Sequence, residues 1–176
     1  MLSLGGAWRA APSVVADEIL LTEDRLKSLW IYNLAKFIDR PEKAWPPGGQ
    51  AFVIGVIGRP SLTQALIETT TQEKIKDHPI QIRECQAAQD ISACHLVFVG
   101  ASPATDWAAV AATAQERSIL TVSDAPEFAS KGGMITLKVI AKQIRCVISM
   151  ETLRAASLVP RAKLLNLKQV EQLQEH

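Results

Sequence analysis

The sequence predicts an α/β fold, with a mostly parallel sheet flanked by helices and a C-terminal antiparallel hairpin and helix. Three observations predict it. Short apolar runs alternate with segments of helical periodicity from about residue 23 to 122. The run at 51–58 is apolar at almost every position, as in a strand buried on both faces of a parallel sheet. Two alternating runs at 134–140 and 143–148 are separated by only two residues, which is typical of a hairpin.

The first strong helix is predicted over 23–38. Its apolar residues recur at helical spacing and form one broad stripe: Leu26, Leu29, Trp30, Leu34, Phe37 and Ile38. Four strands follow, at 51–58, 80–83, 95–99 and 119–122, with helices from about 60 and 105 between them. Parallel strands are joined by right-handed crossovers, so a three-layer, Rossmann/flavodoxin-like arrangement is expected.

The C-terminal part departs from this alternation. The hairpin is followed by a predicted helix at 150–156 and by a last helix that opens at Pro160. That last helix is expected to carry an apolar face made by Leu164, Leu165, Leu167 and Val170.

Length and charge limit the classes of protein. The 176 residues fit one domain, expected over 18–176, after a leader remnant or flexible tail at 1–17. Lys and Arg number 19 against 18 Asp and Glu, so no basic stripe indicates a nucleic-acid partner. No apolar run approaches the ~20 residues that span a bilayer.

The three cysteines indicate no zinc site, because none forms a CxxC pair. No metal and no cofactor are expected. Cys85 and Cys94 lie nine residues apart and form a disulfide if the compartment is oxidising. The alternative is that these two and Cys146 are small buried apolar residues.

Candidate sites lie where predicted strands end. Gly55-x-x-Gly58-Arg59 could hold an anion at a helix N-terminus, but it lacks the dinucleotide-binding pattern and favours a tight turn. Ser123 and Asp124 end a strand, where open α/β sheets place ligands. No histidine lies in a motif that would activate Ser123, so no catalytic residue is assigned and loop capping fits better. Gly132 and Gly133 are expected to supply a turn before the hairpin.

Several separated stretches together resemble the YfiR-like family of periplasmic proteins. The segment at 29–38 (LWIYNLAKFI) resembles that family's opening "LYNFAKF" helix, and 52–58 is similar to its "IGVLG" strand. The segment at 94–99 (CHLVFV) resembles "CHILFI", and 120–135 resembles the "LTVSD…F…GGMI" core, including Phe128. Residues 145–148 and 162–165 are similar to the "RFEIN" strand and the "SKLL" helix. One departure is Asp39-Arg40-Pro41, where family members often have Glu-Trp-Pro.

The resemblance implies a non-enzymatic periplasmic regulator that dimerises. Such a protein binds the periplasmic sensor domain of an inner-membrane diguanylate cyclase and keeps it inactive, so cyclic di-GMP and biofilm formation fall. An outer-membrane lipoprotein or reducing stress relieves that inhibition, and a sensor kinase is the alternative membrane partner. The resemblance also favours a leader remnant at the N-terminus.

The first hypothesis is therefore a docking protein. Its surface is expected to use the loop at 123–134 together with Tyr32, Asn33 and Lys36. The full predicted partner- or ligand-binding set is Tyr32, Asn33, Lys36, Arg59, Ser123, Asp124, Phe128 and Arg145. A second hypothesis is a small-ligand or anion-binding protein that uses Arg59, Arg83, Ser123 and Arg145. A third is a hydrolase that uses Ser123.

Overall fold

The computed structural model describes residues 14–102 and 105–173. The helices and strands occur in this order: α1 (Val14–Phe37), β1 (Ile38–Asp39), β2 (Phe52–Ile57), α2 (Pro60–Thr70), β3 (Lys74–Ile75), β4 (His78–Cys85), β5 (Leu96–Val99), α3 (Trp107–Arg117), β6 (Leu120–Ser123), β7 (Ile135–Ile140), β8 (Gln143–Ile148), α4 (Met150–Ala155), β9 (Val159–Pro160), α5 (Ala162–Leu165) and β10 (Val170–Gln172). Short 3₁₀ turns lie at Glu42–Ala44, Ala88–Ala93 and Ala129–Lys131.

Eight strands form one sheet in the order β10-β8-β7-β6-β5-β2-β4-β3, and β1 pairs with β9 in a separate two-stranded ribbon. The α/β class and the hairpin are confirmed, but the expectation of a mostly parallel sheet is corrected, because the sheet is mixed. The β7–β8 and β3–β4 pairs are antiparallel, while β2, β4, β5 and β6 run parallel. The hairpin is part of this sheet, because β7 pairs in parallel with β6.

The two ends of the chain differ from the expected elements. Helix α1 begins at Val14 rather than at residue 23, so residues 14–17 of the expected tail are helical, and residues 1–13 lie outside the described part. The last helix is only four residues long, and Val170 enters β10, which pairs in parallel with β8. Apolar residues that suit a helix face also suit a strand, and periodicity cannot separate the two over so few residues.

The β7–β8 hairpin turns on two residues without glycine. Ala141 has a φ of 48° and Lys142 a φ of 61°. Two positive φ values are the geometry of a type I′ turn, whose twist matches that of the strands it joins. The strands that it joins pair in the predicted register, with Ile140 opposite Gln143.

The core lies on both faces of the central strands. All six residues of β2 and all four of β5 are buried. The crossover from β2 leads to β4 on one side, whereas the crossover from β5 leads to β6 on the other. This reversal lies between β2 and β5, so the carboxyl ends of these two strands, beside that of β6, form a place where an α/β sheet presents loops to a ligand or partner. Of the helices that the structure describes, none has the length and hydropathy of a membrane-spanning segment.

Candidate functional site

Four charged side chains meet where α1 crosses the loops that follow β2 and β6. The Arg59 guanidinium donates from Nε to Asp24 Oδ1 at 2.9 Å, and its Nη2 forms an ion pair with the same oxygen at 2.8 Å. Its Nη1 donates to Asp124 Oδ2 at 2.7 Å, and Lys27 Nζ donates to the same oxygen at 2.8 Å. We call these four residues, Asp24, Lys27, Arg59 and Asp124, the charge cluster. It ties α1 to the loops that follow β2 and β6.

The two helix residues of the charge cluster are buried, whereas Arg59 and Asp124 are partly exposed. Asp24 is 0% exposed and Lys27 is 3% exposed. Asp24 Oδ2 and Asp124 Oδ1 have no hydrogen-bond partner among the described residues. Buried ion pairs contribute little net stability, but breaking one leaves an uncompensated charge at a cost of ~3–5 kcal/mol. The cluster therefore fixes the position of the loops relative to α1.

The loop after β6 is tied down from within. Ser123 Oγ donates to the carbonyl of Val99 at 2.6 Å and accepts from the N–H of Ala125 at 3.1 Å. Phe128 is buried and packs edge-on against Trp107, with ring centroids 5.5 Å apart. Ser123 and Phe128 thus face the interior of this chain.

The two glycines of that loop have different roles. Gly132 ends the 3₁₀ turn with a φ of +92°, a conformation that glycine adopts without strain. At Gly133 a Cβ atom would fall 2.3 Å from the ring of Phe128. A side chain at this position therefore forces the ring or the backbone to shift.

Helix α1 presents Tyr32, Asn33 and Lys36 away from the charge cluster. The Tyr32 hydroxyl donates to Glu73 Oε2 at 2.5 Å, and burial together with this hydrogen bond raises the pKa of Tyr32 to about 12. Lys36 Nζ lies 4.9 Å above the Tyr32 ring, and Asn33 Nδ2 donates to the Leu29 carbonyl. Asn33 and Lys36 are exposed. All three are accessible to a partner without a change of fold.

An apolar groove lies beside this face, between α1 and α5. It has a volume of about 210 Å³ and is lined by Trp30, Asn33, Phe37, Lys163, Leu164 and Leu167. Leu167 is 43% exposed, and the neighbouring Leu29 is 45% exposed. We call this surface the α1–α5 groove.

The remaining predicted polar residues lie apart. Arg145 on β8 donates to the carbonyl of Lys168 at 3.1 Å. Arg83 on β4 is exposed and lines a different cavity. β8 and β4 are separated by four strands in the sheet, which is over ~20 Å at the usual strand spacing. Arg59, Arg83, Ser123 and Arg145 therefore do not form one pocket.

Cys85 and Cys94 lie side by side at the ends of β4 and the second 3₁₀ turn. Their sulfur atoms are 3.9 Å apart and both thiols are free, whereas a disulfide joins its sulfur atoms at ~2.0 Å. A hydrogen bond from Cys94 lowers the pKa of Cys85 and raises that of Cys94. Cys146 is buried elsewhere, and burial raises its pKa to about 12.

Nothing in this arrangement activates Ser123 as a nucleophile. Its hydroxyl proton points to a carbonyl, and no histidine is its partner in the described part of the chain. His78 Nδ1 pairs with the Gln50 carbonyl, and His95 Nδ1 accepts from the N–H of Val53. Residues 14–102 and 105–173 also contain no group of three or more potential metal ligands.

Sequence patterns do not single out two members of the charge cluster, Asp24 and Lys27. Asp24 and Lys27 lie three residues apart on the helix, one turn before the strongly apolar part of the stripe. Charges at the start of a helix usually face solvent, so no local signal marked them as buried. Their partners come from loops 35 and 97 residues away.

The fold and the site together define an α/β domain with a rigidly held loop region and an apolar groove on its first helix. The chain matches the YfiR/HmsC-like family over residues 24–168 and belongs to that family. The resemblance that the motifs indicated is thereby confirmed. No curated protein sequence matches the chain.

Solved structures share the fold at low sequence identity. A conserved domain protein from Vibrio cholerae O1 biovar El Tor is 12% identical, with a TM-score of 0.56 over 82% of this chain and 59% of that one. An ABC domain in complex with L-Trp from Streptococcus pneumonia is 10% identical, with a TM-score of 0.51 and the same coverages. The chain thus spans about 59% of the length of these structures.

Proposed function

We propose that this protein is a non-enzymatic periplasmic regulator. It binds the periplasmic sensor domain of a membrane signalling protein, a diguanylate cyclase in the first instance, and inhibits it, which lowers cyclic di-GMP and biofilm formation. The observation that carries the proposal is membership of the YfiR/HmsC-like family over residues 24–168. That family is regulatory rather than catalytic.

The α1–α5 groove is the surface that best suits docking. Fully buried centres of protein interfaces are apolar, with aromatic residues enriched, and a polar rim surrounds them. The groove offers Trp30 and Phe37 as aromatic walls and Leu167 as an exposed apolar edge. Asn33 and Lys36 supply the polar rim on one side.

The charge cluster supports this function indirectly. Docking loses affinity when the surface must first be ordered. Asp24 and Lys27 anchor α1 to the loops at Arg59 and Asp124, so the helix that carries Tyr32 and Asn33 is held in place before any partner arrives. Arg59, Ser123, Asp124 and Phe128 act in this proposal by positioning the surface.

The test is direct binding. The purified protein is titrated, by biolayer interferometry, against the periplasmic sensor domain of a membrane diguanylate cyclase from the same organism. Leu167→Arg places a charge in the groove and is expected to weaken binding by about tenfold or more. Ile140→Arg is the matched control, because Ile140 is also an exposed apolar residue, 56% exposed, at the tip of the hairpin.

Binding that Leu167→Arg weakens and Ile140→Arg preserves supports the docking surface. Equal affinity of both variants places the interface elsewhere, and no binding at micromolar concentration contradicts the docking function. A homodimer and an outer-membrane lipoprotein belong to the same proposal. Sedimentation of the purified chain tests the dimer.

A second candidate function is binding of a small ligand. The observation that favours it is a cavity of about 740 Å³ near the amino ends of β2, β4 and β5, whereas the charge cluster lies at the carboxyl ends of the strands. This volume is within the ~300–1,000 Å³ range of ligand pockets. A thermal-shift screen of small anions distinguishes this function from docking alone, because a ligand that binds the native state raises Tm.

A further inference from the structure

Strand β4 leaves one edge of the sheet open. The short strand β3 covers it only at His78 and Pro79. From Ile80 to Cys85, β4 pairs with β2 on its inner side, and no backbone hydrogen bond joins residues 80–84 to described residues outside the sheet. The outer side of an edge strand presents unpaired N–H and C=O groups, which can pair with another extended chain.

The features that usually protect an edge strand are few on β4. Natural sheets block their edges with proline, with charged side chains or with very short strands. Pro79 lies within the part that β3 already covers. In the open part, residues 80–82 carry no charge, and only Arg83 and Glu84 do. The open part of β4 is therefore suited to pairing with a strand of matching chemistry.

The face of β4 that is turned towards α2 is apolar. Ile80 and Ile82 are half-buried, and the residues that alternate with them are exposed. Together with Ile67 of α2, which is 46% exposed, these two isoleucines line a groove of about 430 Å³. We call the surface made by Ile67, Ile80 and Ile82 the edge groove. Apolar side chains of an added strand would be buried there.

The opposite face of β4 is cationic. Gln81 and Arg83 line the cavity of about 740 Å³, together with Lys43, Arg117 and a single acidic residue, Glu116. The three cations are exposed, and none of them forms an ion pair within the described part of the chain. An added strand would therefore meet unpaired positive charge on this face, which favours acidic side chains.

We propose that the open edge of β4 binds an extended segment of a partner protein in which apolar and acidic side chains alternate. The backbone of that segment pairs with residues 80–84. Its apolar side chains enter the edge groove, and its acidic side chains lie beside Arg83. In this mode of recognition the main chain supplies affinity, and alternate side chains supply specificity. The edge is separate from the α1–α5 groove, so its failure would leave the docking function untouched.

The experiment titrates the full chain into fluorescently labelled peptides and follows their anisotropy. One peptide of about seven residues alternates Glu and Val, and its control has the same composition with all Glu placed before all Val. The alternating peptide is expected to bind at least about tenfold more tightly, because only alternation sorts the two residue types to opposite faces. With this peptide bound, amides within 80–84 are expected to exchange hydrogen more slowly.

Reversal of the charge at Arg83 tests the cationic face. Arg83→Glu is expected to weaken binding of the Glu/Val peptide at least about threefold and to strengthen binding of an alternating Lys/Val peptide. Lys142→Glu is the matched control, because it makes the same charge change at an exposed residue in the turn of the β7–β8 hairpin. This variant is expected to bind both peptides as the wild type does.

Four results would overturn the proposal. They are equal binding of the alternating and grouped peptides, no binding of the alternating peptide up to about 1 mM, unchanged exchange within 80–84, and equal effects of Arg83→Glu and Lys142→Glu. Sedimentation provides a fifth. A dimer that Arg83→Glu dissociates would show that a second copy of this chain occupies the edge instead.

Discussion

Replacement of Arg59 by methionine is predicted to destabilise the protein by breaking the charge cluster. Arg59 holds the Asp24 carboxylate through one hydrogen bond from Nε and one ion-pair contact from Nη2, and both reach Oδ1. The side chain of Asp24 is 1% exposed, so solvent cannot replace them. Asp124 keeps Lys27 as its partner at 2.8 Å.

The expected cost is ~3–5 kcal/mol, which is the penalty for leaving a buried charge unpaired. Because Arg59 is itself 22% exposed, the lower end of that range is expected. At a urea dependence of ~1–3 kcal/mol per M, the unfolding midpoint falls by roughly 1–3 M. Circular dichroism at increasing urea concentration measures this shift.

Two further variants make the measurement decisive. Asp24→Asn in the Arg59→Met background removes the uncompensated charge and is expected to recover at least about 1 kcal/mol. Lys131→Met breaks the exposed ion pair with Glu127 and is expected to match the wild type. A free energy of unfolding for Arg59→Met within about 1 kcal/mol of the wild type would refute the account of the cluster.

Three other predictions concern the core. Gly133→Ala is expected to cost ~1–3 kcal/mol through overpacking against an aromatic ring, whereas Gly48→Ala meets nothing within 4 Å; thermal unfolding of both variants checks this. The pKa of His95 is lowered by burial to about 4 from 6.5, so as the pH falls the His95 ring is protonated in the unfolded chain before it is protonated in the folded chain. The free energy of unfolding therefore decreases as the pH falls from 6.5 to 4. In urea titrations at several pH values, His95→Asn is expected to show a smaller decrease than the wild type. Equal decreases in the two proteins would exclude His95 as the cause. A mild oxidant is expected to join Cys85 to Cys94, which mass spectrometry of non-reduced peptides detects as a cross-linked pair; persistence of both free thiols would contradict it.

Much of the sheet could be predicted because its central strands are buried on both faces. The run from Phe52 to Ile57 has no polar residue to expose, and the hairpin at 135–148 alternates cleanly around a two-residue turn. Local patterns of this kind report burial directly. The strand at 170–172 has no such pattern in its sequence. It forms because it pairs with β8, and this pairing exists only in the folded sheet.

The candidate site was only partly predictable for a related reason. Asp124 drew attention because it follows a strand, and Arg59 because it opens a helix. Their shared contact with Asp24 is a tertiary feature that no spacing encodes. Ser123 was expected at the surface with the loop, but the sheet places its hydroxyl on the Val99 carbonyl in the interior.

The most direct test of the regulatory function is inhibition of the membrane partner itself. Membrane vesicles that contain the full-length diguanylate cyclase found to bind this protein are assayed for cyclic di-GMP synthesis with the protein supplied on the periplasmic side. Synthesis is expected to fall as the protein concentration rises, to be restored when Leu167→Arg replaces the wild type, and to fall equally with Ile140→Arg. Synthesis that is unchanged at concentrations saturating for binding would contradict the regulatory function.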